Sequence, residues 1–518
     1  MPHNLTVLDD QSAEFFAPSP SDLIDNLLAQ YRGARTQIAH AAALFAGDMG
    51  NVVRYFTHGN CGREATVSHS NIFREEGAVK ALNASFWAKA LSFTDVLDVM
   101  PQARRDAWNK QITDMETPEF NDDTVRPTIE SLLASRQQFL AERVDGIFRA
   151  LSGEHVTNSP MGFGKRMILA NMLSYGTVSY CRSGYINDLR GVIAKFMGRD
   201  EPKHYASGRA LENLRNHWGQ WVTFDGGALR IRLYRKGTAH LEVHPDMAWR
   251  LNQILAHLHP LAIPSEFRTK PARRAKHVPL ILRPLPFAVL DVLAHSLPRH
   301  HETIVALSWQ AQQEAGKASR DEACRVLTGI GGVAHGVGSF RFDYPPLEVL
   351  NEILASGCIP DRMSHQYYPT PEVLAREAAA LAEIGTTHYC LEPSAGTGGL
   401  ADCMPKERTV CVEASALHCK ILEAKGYDVR HADFLTWAAA DRFERIVMNP
   451  PFSEGRWLAH LQHAATMLAP GGRLVAIVPA SAVGKEVLPG WNVTWSRVYN
   501  NQFAGTNTSV VILVGEKA

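Results

Sequence analysis

Tyr389-Cys390-Leu391-Glu392-Pro393-Ser394-Ala395-Gly396-Thr397-Gly398-Gly399-Leu400 is the stretch whose reading decides the fold. Tyr389 to Leu391 is a short apolar strand that runs directly into a glycine-rich turn. Glycine suits such a turn because the chain must bend sharply and leave its backbone open to a ligand. A helix that starts just beyond it aims its N-terminal amides at that ligand. Dinucleotide sites use turns of this kind, and so does plain packing, so the turn alone leaves the ligand open. The lysine of a nucleoside triphosphate loop does not follow it.

The surroundings narrow the reading. Thr409-Val410-Cys411-Val412 is a second apolar strand and ends at Glu413. An acid there, about 20 residues past the glycine turn, is placed to hydrogen-bond ribose hydroxyls. His431-Ala432-Asp433-Phe434 closes a third strand-like segment. Asp433 can accept from an adenine amino group while Phe434 packs on the ring; a helix cap for Asp433 and a solvated acid for Glu413 are the plain alternatives. Arg445-Ile446-Val447-Met448 is a fourth strand, and Asn449-Pro450-Pro451-Phe452 stands at its carboxyl end. Ligands of open α/β sheets bind at that edge, and two prolines stiffen the turn. Strands alternating with helices over 362–518 predict a doubly wound α/β domain.

These motifs, in this order, resemble the amino methyltransferases of DNA, specifically the N6-adenine class whose cofactor motifs precede the catalytic motif. The resemblance covers 362–518 and implies a Rossmann-like class I methyltransferase sheet with S-adenosylmethionine as cofactor. His365-Gln366-Tyr367-Tyr368-Pro369-Thr370-Pro371 is similar to the segment that closes over the methionine end of the cofactor. Glu392, Pro393, Ser394, Ala395, Gly396 and Gly398 match the glycine motif, Glu413 the ribose-binding acid, and Asp433 with Phe434 the adenine-binding pair. Asn449, Pro450, Pro451 and Phe452 match the (Asp/Asn/Ser)-Pro-Pro-(Tyr/Phe/Trp) catalytic motif, with Asn449 also beside the cofactor. Phe503, ahead of the last strand, matches the late aromatic that stacks with Phe452 on a flipped base. A core position beside Val510 to Leu513 is its plain alternative.

Ahead of this domain, 1–160 reads as mostly helical. Ile129, Leu132, Leu133, Phe139, Leu140, Val144, Phe148 and Leu151 recur at helical spacing, with Pro127 where a helix would start. Region 161–262 reads as α+β. Leu229, Ile231 and Leu233 alternate with Arg230, Arg232 and Tyr234, Lys236-Gly237 supplies a turn, Thr238 to Val243 returns as a strand, and a helix follows Pro245. Region 263–361 reads as a basic linker and a small α/β segment. Ala84-Ser85-Phe86-Trp87, Gly162-Phe163-Gly164-Lys165-Arg166 and Tyr234 to Leu241 resemble phage- and plasmid-borne bacterial methyltransferases that carry a domain of unknown function before the catalytic one.

Composition is that of a soluble globular protein: 518 residues, 45% hydrophobic, 20% charged, formal net charge zero. Zero net charge gives no whole-chain case for nucleic-acid binding, so contacts must come from local basic patches. In the familiar arrangement of the class a recognition domain follows the catalytic one; here the last strand closes the sequence, which places recognition within 1–360. Arg230, Arg232, Arg235 and Lys236 on the hairpin could enter a major groove of double-stranded DNA. Arg273, Arg274 and Lys276 could grip phosphates. A solvated strand face and a soluble linker are the alternatives.

Glu201-Pro202-Lys203 has the spacing of a nuclease acid–lysine pair but no supporting acidic strand, so a methyltransferase without its own endonuclease is expected. No Cys-x-x-Cys pair occurs among the eight cysteines, and no metal site is expected. Reduced thiols, a polar N-terminus and no run of about 18 apolar residues predict a cytoplasmic chain. The alternatives are the same chemistry on RNA, at adenine N6 or guanine N2, a protein-glutamine methyltransferase, and a non-catalytic DNA-binding or anti-restriction protein on a relict cofactor fold.

Overall fold

Residues 390–393, 409–413 and 446–448 are buried on both faces, as parallel strands under two helical layers must be. They are strands of a seven-stranded sheet. In chain order these are β1 (Cys390–Pro393), β2 (Thr409–Glu413), β3 (Asp428–His431), β4 (Phe443–Met448), β5 (Leu468–Pro479), β6 (Trp491–Trp495) and β7 (Val510–Lys517). The spatial order is β3-β2-β1-β4-β5-β7-β6. β3 to β5 run parallel through that order, and β7 enters antiparallel between β5 and β6. This is the Rossmann-like class I methyltransferase sheet that the sequence predicts.

The structure is a computed structural model and describes residues 21–46, 52–53, 55–56, 60, 72–92, 96–151, 153, 155, 157–164, 166–259, 261–271, 280–281, 283–359, 368–440, 442–503 and 508–517.

The period-2 pattern divides the sheet's side chains between two cores. Leu474, Ala476 and Val478 pack with Leu461 and Ala464 of helix Arg456–Ala465 on one face. Val475 and Ile477 pack with Leu374, Ala375 and Ala378 of helix Glu372–Leu381 on the other. Strand order reverses between β1 and β4, where Leu391 lies opposite Ile446. The turn after β1 and the loop after β4 therefore leave the sheet side by side, at the switch point where such sheets bind ligands.

The chain divides into two units that are not successive segments. One comprises Met1–Phe196, Glu201–Glu212 and Leu233–Arg274; the other comprises Met197–Asp200, Asn213–Arg232 and Ala275–Ala518 and contains the seven-stranded sheet. The boundaries expected at 160, 262 and 361 follow the sequence and do not capture this interleaving.

In the first unit, helices Glu75–Ser92, Asp122–Ala134 and Arg136–Ala150 bury Trp87, Phe120, Val125, Ile129 and Phe139 together. Pro127 does not start its helix. The helix begins five residues earlier, where Asn121 and Thr124 form a reciprocal capping box, and Pro127 lies inside it. The Trp87 indole donates to the Pro118 carbonyl at 2.8 Å. Asn83 Oδ1 accepts from the Tyr31 hydroxyl at 2.7 Å and from the Phe120 amide at 3.1 Å. Asn83→Ala leaves the buried Phe120 amide without that acceptor and is expected to cost about 1–3 kcal/mol in urea unfolding of the chain. Strand Arg166–Leu169 pairs antiparallel with Ala239–Val243, and Pro245–Leu258 is helical as expected.

The second unit also carries 285–357, ahead of the sheet. It holds helix Phe287–Ala294, strand Ile304–Ala306, a helical stretch Trp309–Gly329 broken at Gly316, and short strands Val333–Ala334 and Ser339–Arg341, then helix Leu347–Ser356. Among the described residues no helix is long and apolar enough to cross a membrane.

Candidate functional site

A cleft of about 670 Å³ lies at the carboxyl ends of β1, β2 and β4. Its first wall is the turn after β1. Ser394 takes a left-handed backbone conformation there, with φ 65°, and Gly396 follows at φ 56°. A non-glycine residue in that region stores strain of order 1–3 kcal/mol and marks a functional constraint. At Ser394 the constraint is visible, because its hydroxyl meets His460 Nδ1 at 3.2 Å across the cleft wall.

Glu413 ends β2 and faces this turn. The Gly396 amide donates to its Oε2 at 2.8 Å and the Ser415 amide to its Oε1 at 2.7 Å. His418 Nδ1 stands 3.7 Å from Oε1. Burial opposes charge on this carboxyl, but His418 and the two amides outweigh it and hold Glu413 below the usual carboxylate range. It is therefore an ionised acceptor, and a carboxylate has about four acceptor positions, so capacity remains for a ligand. Glu392 contrasts with it. It accepts from the Ala401 amide at 2.6 Å, and complete burial beside Asp402 and Glu413 pushes its carboxyl well above the usual range.

Most of the other predicted site residues share this cleft. Tyr368, Pro369, Thr370, Ala395, Asp433, Phe434, Asn449, Pro450, Pro451, Phe452 and Phe503 all contribute to its wall. Pro393 and Gly398 do not contribute to it. Pro393 is paired within the sheet opposite Val412, and Gly398 holds a left-handed backbone conformation, φ 89°, with Leu422 Cδ2 3.0 Å from where a Cβ would stand, so this glycine answers to the backbone turn. Asp433 joins the wall and is also a cap, accepting from the Leu435 amide at 3.1 Å. Phe434 is buried against the His460 and His463 rings.

At the end of β4, Asn449 Nδ2 donates to Thr370 Oγ1 at 3.1 Å. That contact fixes the amide plane and leaves Oδ1 as the free acceptor of the side chain. Phe503 meets Phe452 and Tyr368 edge to face, each with ring centroids 6.4 Å apart. It is 4% exposed and packs with Tyr499, Val510 and Ile512, so the core position and the cleft-wall position are the same position. His365, Gln366, Tyr367 and Ala504 lie outside the described residues.

His460 is the site residue that sequence reading missed. It lies on helix Arg456–Ala465, just beyond Asn449 to Phe452, and Arg456, four residues before it, joins the same wall. That i,i+4 spacing straight after the catalytic-type motif was the available signal. Burial and the neighbouring Arg456 charge push the imidazole down to about 4, so it is neutral. Its Nε2 is buried and has no hydrogen-bond partner among the described residues.

The basic residues expected to touch nucleic acid are not among those that line the cleft. Arg230 and Arg232 carry their guanidinium groups over the Trp221 ring, at 5.1 and 5.7 Å, and Arg232 Nε donates to the Gly219 carbonyl at 2.5 Å. Arg235 and Lys236 are exposed at the Lys236-Gly237 turn. Arg273, Arg274 and Lys276 lie outside the described residues. Glu201 pairs with Arg143 and Lys195, while Lys203 pairs with Asp98, so the two are committed to separate ion pairs. Among the described residues no group of three His, Cys, Asp or Glu could hold a metal.

Residues 79–260 match a family described as a domain of unknown function, DUF4942, over less than half of the chain. No curated protein sequence matches. Among solved structures, the chain is similar to TrmN from Thermus thermophilus (21% identity, 28% of this chain, 49% of that one, TM-score 0.25). It is similar to precorrin-6y C5,15-methyltransferase from Geobacter metallireducens GS-15 (15%, 28% and 88%, TM-score 0.23). It is also similar to magnesium protoporphyrin IX methyltransferase from Synechocystis PCC 6803 (12%, 28% and 79%, TM-score 0.23). The matched part spans about half the length of TrmN. At these scores the likenesses carry nothing about a substrate, and what the cleft binds is read from its own geometry.

Proposed function

We propose that this chain methylates the exocyclic N6 of adenine in double-stranded DNA, using S-adenosylmethionine and acting without an endonuclease of its own. The observation that carries the reading is the meeting, in one cleft, of the glycine turn, ionised Glu413 and Asn449-Pro450-Pro451-Phe452.

The cleft suits that cofactor on its own chemistry. Glu413 would hold the ribose hydroxyls, Asp433 and Phe434 the adenine, and Tyr368 to Thr370 with the turn after β1 the methionine end. The orphaned Nε2 of His460, buried between Ser394 and Phe434, is a further polar position for a ligand to satisfy. When bound, S-adenosylmethionine supplies a methyl group already activated by its sulfonium.

The protein's remaining task is to make the amine a nucleophile. The N6 lone pair is delocalised into the ring, so the planar amine is a poor one. Asn449 Oδ1 and the Pro450 carbonyl are acceptors for the two N6 hydrogens, and they favour the pyramidal geometry in which the lone pair points outward. Acceptors matched to that geometry lower the barrier because they bind the transition state better than the ground state. An adenine within a duplex is out of reach, so it must be flipped out. Tyr368, Phe452 and Phe503 supply aromatic surface for the flipped base, and stacking of about 1–3 kcal/mol per base offsets much of the unstacking cost.

Thr370 acts on this chemistry through Asn449. Thr370→Val keeps shape but removes the acceptor for Asn449 Nδ2, and kcat is expected to fall about tenfold, the scale of one net hydrogen bond. Thr370→Ser should restore most of it, and steady-state kinetics of the pair separates orientation from bulk.

The activity itself is tested by incubating the chain with labelled cofactor and either unmethylated plasmid DNA or total RNA. Nucleosides are then separated by mass spectrometry. N6-methyladenine from DNA is the expected product. Label confined to RNA, as N6-methyladenine or N2-methylguanine, or no transfer at all, overturns the reading.

A further inference from the structure

Residues 287–341 combine two helical stretches with three short strands. Strand Ile304–Ala306 pairs antiparallel with Ser339–Arg341, which pairs antiparallel with Val333–Ala334. The order of elements is helix, strand, helix, break, helix, strand, turn, strand. Gly316, at φ 76° and ψ 172°, interrupts Trp309–Gly329 and yields two successive helices, 309–315 and 317–329. Ser308 caps the first of them by accepting from the Ala311 amide. Two helices joined at a glycine and followed by a β-hairpin are a helix–turn–helix with a wing.

The packing has that logic too. Ala323, Val326, Leu327 and Ile330 turn inward and are buried, along with Phe340, Phe342 and Tyr344. The Tyr344 hydroxyl donates to the Ile330 carbonyl at 2.6 Å and closes the end of the second helix. The outward side of that helix is polar and mostly cationic. Lys317, Asp321, Arg325 and Thr328 are exposed, and the Arg320 side chain is 43% exposed. At the hairpin turn Val337 is fully exposed, and Arg341 Nη2 reaches His335 Nε2 at 2.8 Å. The second helix and the wing thus present four cations, Lys317, Arg320, Arg325 and Arg341, against two acids, Asp321 and Glu322, which pair at the surface with Arg320 and Arg325 and leave a net positive face. A cationic α-helix flanked by a hairpin that carries Arg341 matches the major groove and its bordering phosphates.

The segment that follows the module, through helix Leu347–Ser356, is tied to the sheet that carries the cleft. Lys420 and Lys425 lie on helix Ala416–Lys425, which follows Glu413. They reach Glu352 at 3.6 Å and Asp343 at 3.2 Å. Where the module joins the rest of the unit, the Leu285 amide donates to the Gly357 carbonyl at 2.7 Å, which closes it at its base.

We infer that 287–341 is a winged helix–turn–helix that docks helix 317–329 in the major groove of double-stranded DNA and so presents the target to the cleft. The inference builds on the reading of duplex DNA as substrate, but binding is measured without turnover. The probe is a fluorescein-labelled 30-base-pair DNA duplex of mixed sequence, titrated with the full chain by fluorescence anisotropy at several salt concentrations. A same-sequence RNA duplex and light scattering run in parallel.

Wild-type chain is expected to bind the DNA duplex in low salt. Lys317→Glu, Arg320→Glu and Arg325→Glu together are expected to weaken binding at least about tenfold and to lower the salt slope by roughly three, one per lost phosphate contact. Circular dichroism melts check that the triple variant is folded. Should it melt early, Lys317→Ala and Arg325→Ala, both on the exposed face, carry the same test. Wild type that ignores the DNA duplex, a variant that binds it equally, tighter binding of the RNA duplex, or a variant that changes only the oligomeric state each overturns the inference. Failure of methylation with binding intact would instead count against the proposed activity.

Discussion

Asn449→Ala is expected to lower the methyl-transfer rate by about 10²–10³, the scale of losing one preorganised polar contact to a developing charge. Cofactor affinity should stay nearly unchanged, because Glu413, the glycine turn and His460 are untouched. The reason for so large an effect lies in the amine. Bound flat, an exocyclic amine keeps its lone pair in the ring, and only acceptors placed off that plane favour pyramidalisation. Asn449 Oδ1 has that task because its amide cannot rotate freely while Nδ2 donates to Thr370 Oγ1 at 3.1 Å. Asn449→Asp keeps an acceptor and lets the Thr370 hydroxyl donate instead, so its loss should be the smaller of the two. Single-turnover transfer with calorimetry of cofactor binding distinguishes the cases. An Ala variant that turns over within a few-fold of wild type would remove Asn449 from the chemistry.

What was legible in the sequence follows from where each feature is encoded. The turn after β1 and the loop after β4 are contiguous, and their glycines and prolines answer to local backbone demands. They could be read residue by residue. Glu413 was legible as the end of an apolar run, and the structure adds the two amides and His418 that keep it ionised. His460 was legible only as a residue one helical turn past Arg456, after Asn449 to Phe452; its contact with Ser394, 66 positions earlier in a left-handed backbone conformation, was not.

The helix–turn–helix escaped for a different reason. Its strands span two or three residues, too short for alternation to register, and its two helices form one mostly polar stretch broken only at Gly316, with Ala311, Ala323, Val326 and Leu327 its buried positions. The basic hairpin drew attention because charge is conspicuous in a sequence, yet Arg230 and Arg232 stack on Trp221. Pro127 misled in the opposite sense. A proline is a fair helix start, but the capping box at Asn121 and Thr124 set that helix running first. The interleaving of the two units has no local signature at all.

Glu413→Ala is expected to weaken cofactor binding by about 10²–10⁴, since hydrogen bonds to a charged group are worth about 1.5–3 kcal/mol each and a ribose offers two hydroxyls. The substitution also withdraws the acceptor from the Gly396 and Ser415 amides, so the turn after β1 loses the group that holds it in shape. Glu413→Gln separates these roles. It keeps an oxygen for one amide but brings an NH₂ toward another donor, and it removes the charge. If charge-assisted hydrogen bonding to the ligand dominates, Gln should fall most of the way toward Ala in affinity, while its melting temperature stays closer to wild type. If turn geometry dominates, affinity and melting temperature should fall together in both variants. Because the carboxyl is held below the usual carboxylate range, wild-type affinity should be flat through neutral pH. It should decline only as acid protonates Glu413, whereas the Gln variant should lack that acid limb. Calorimetric titration with S-adenosylmethionine from mildly acid to neutral pH reads both. Full wild-type affinity in Glu413→Ala would mean that the cofactor does not engage the end of β2, and the assignment of the cleft would fall with it.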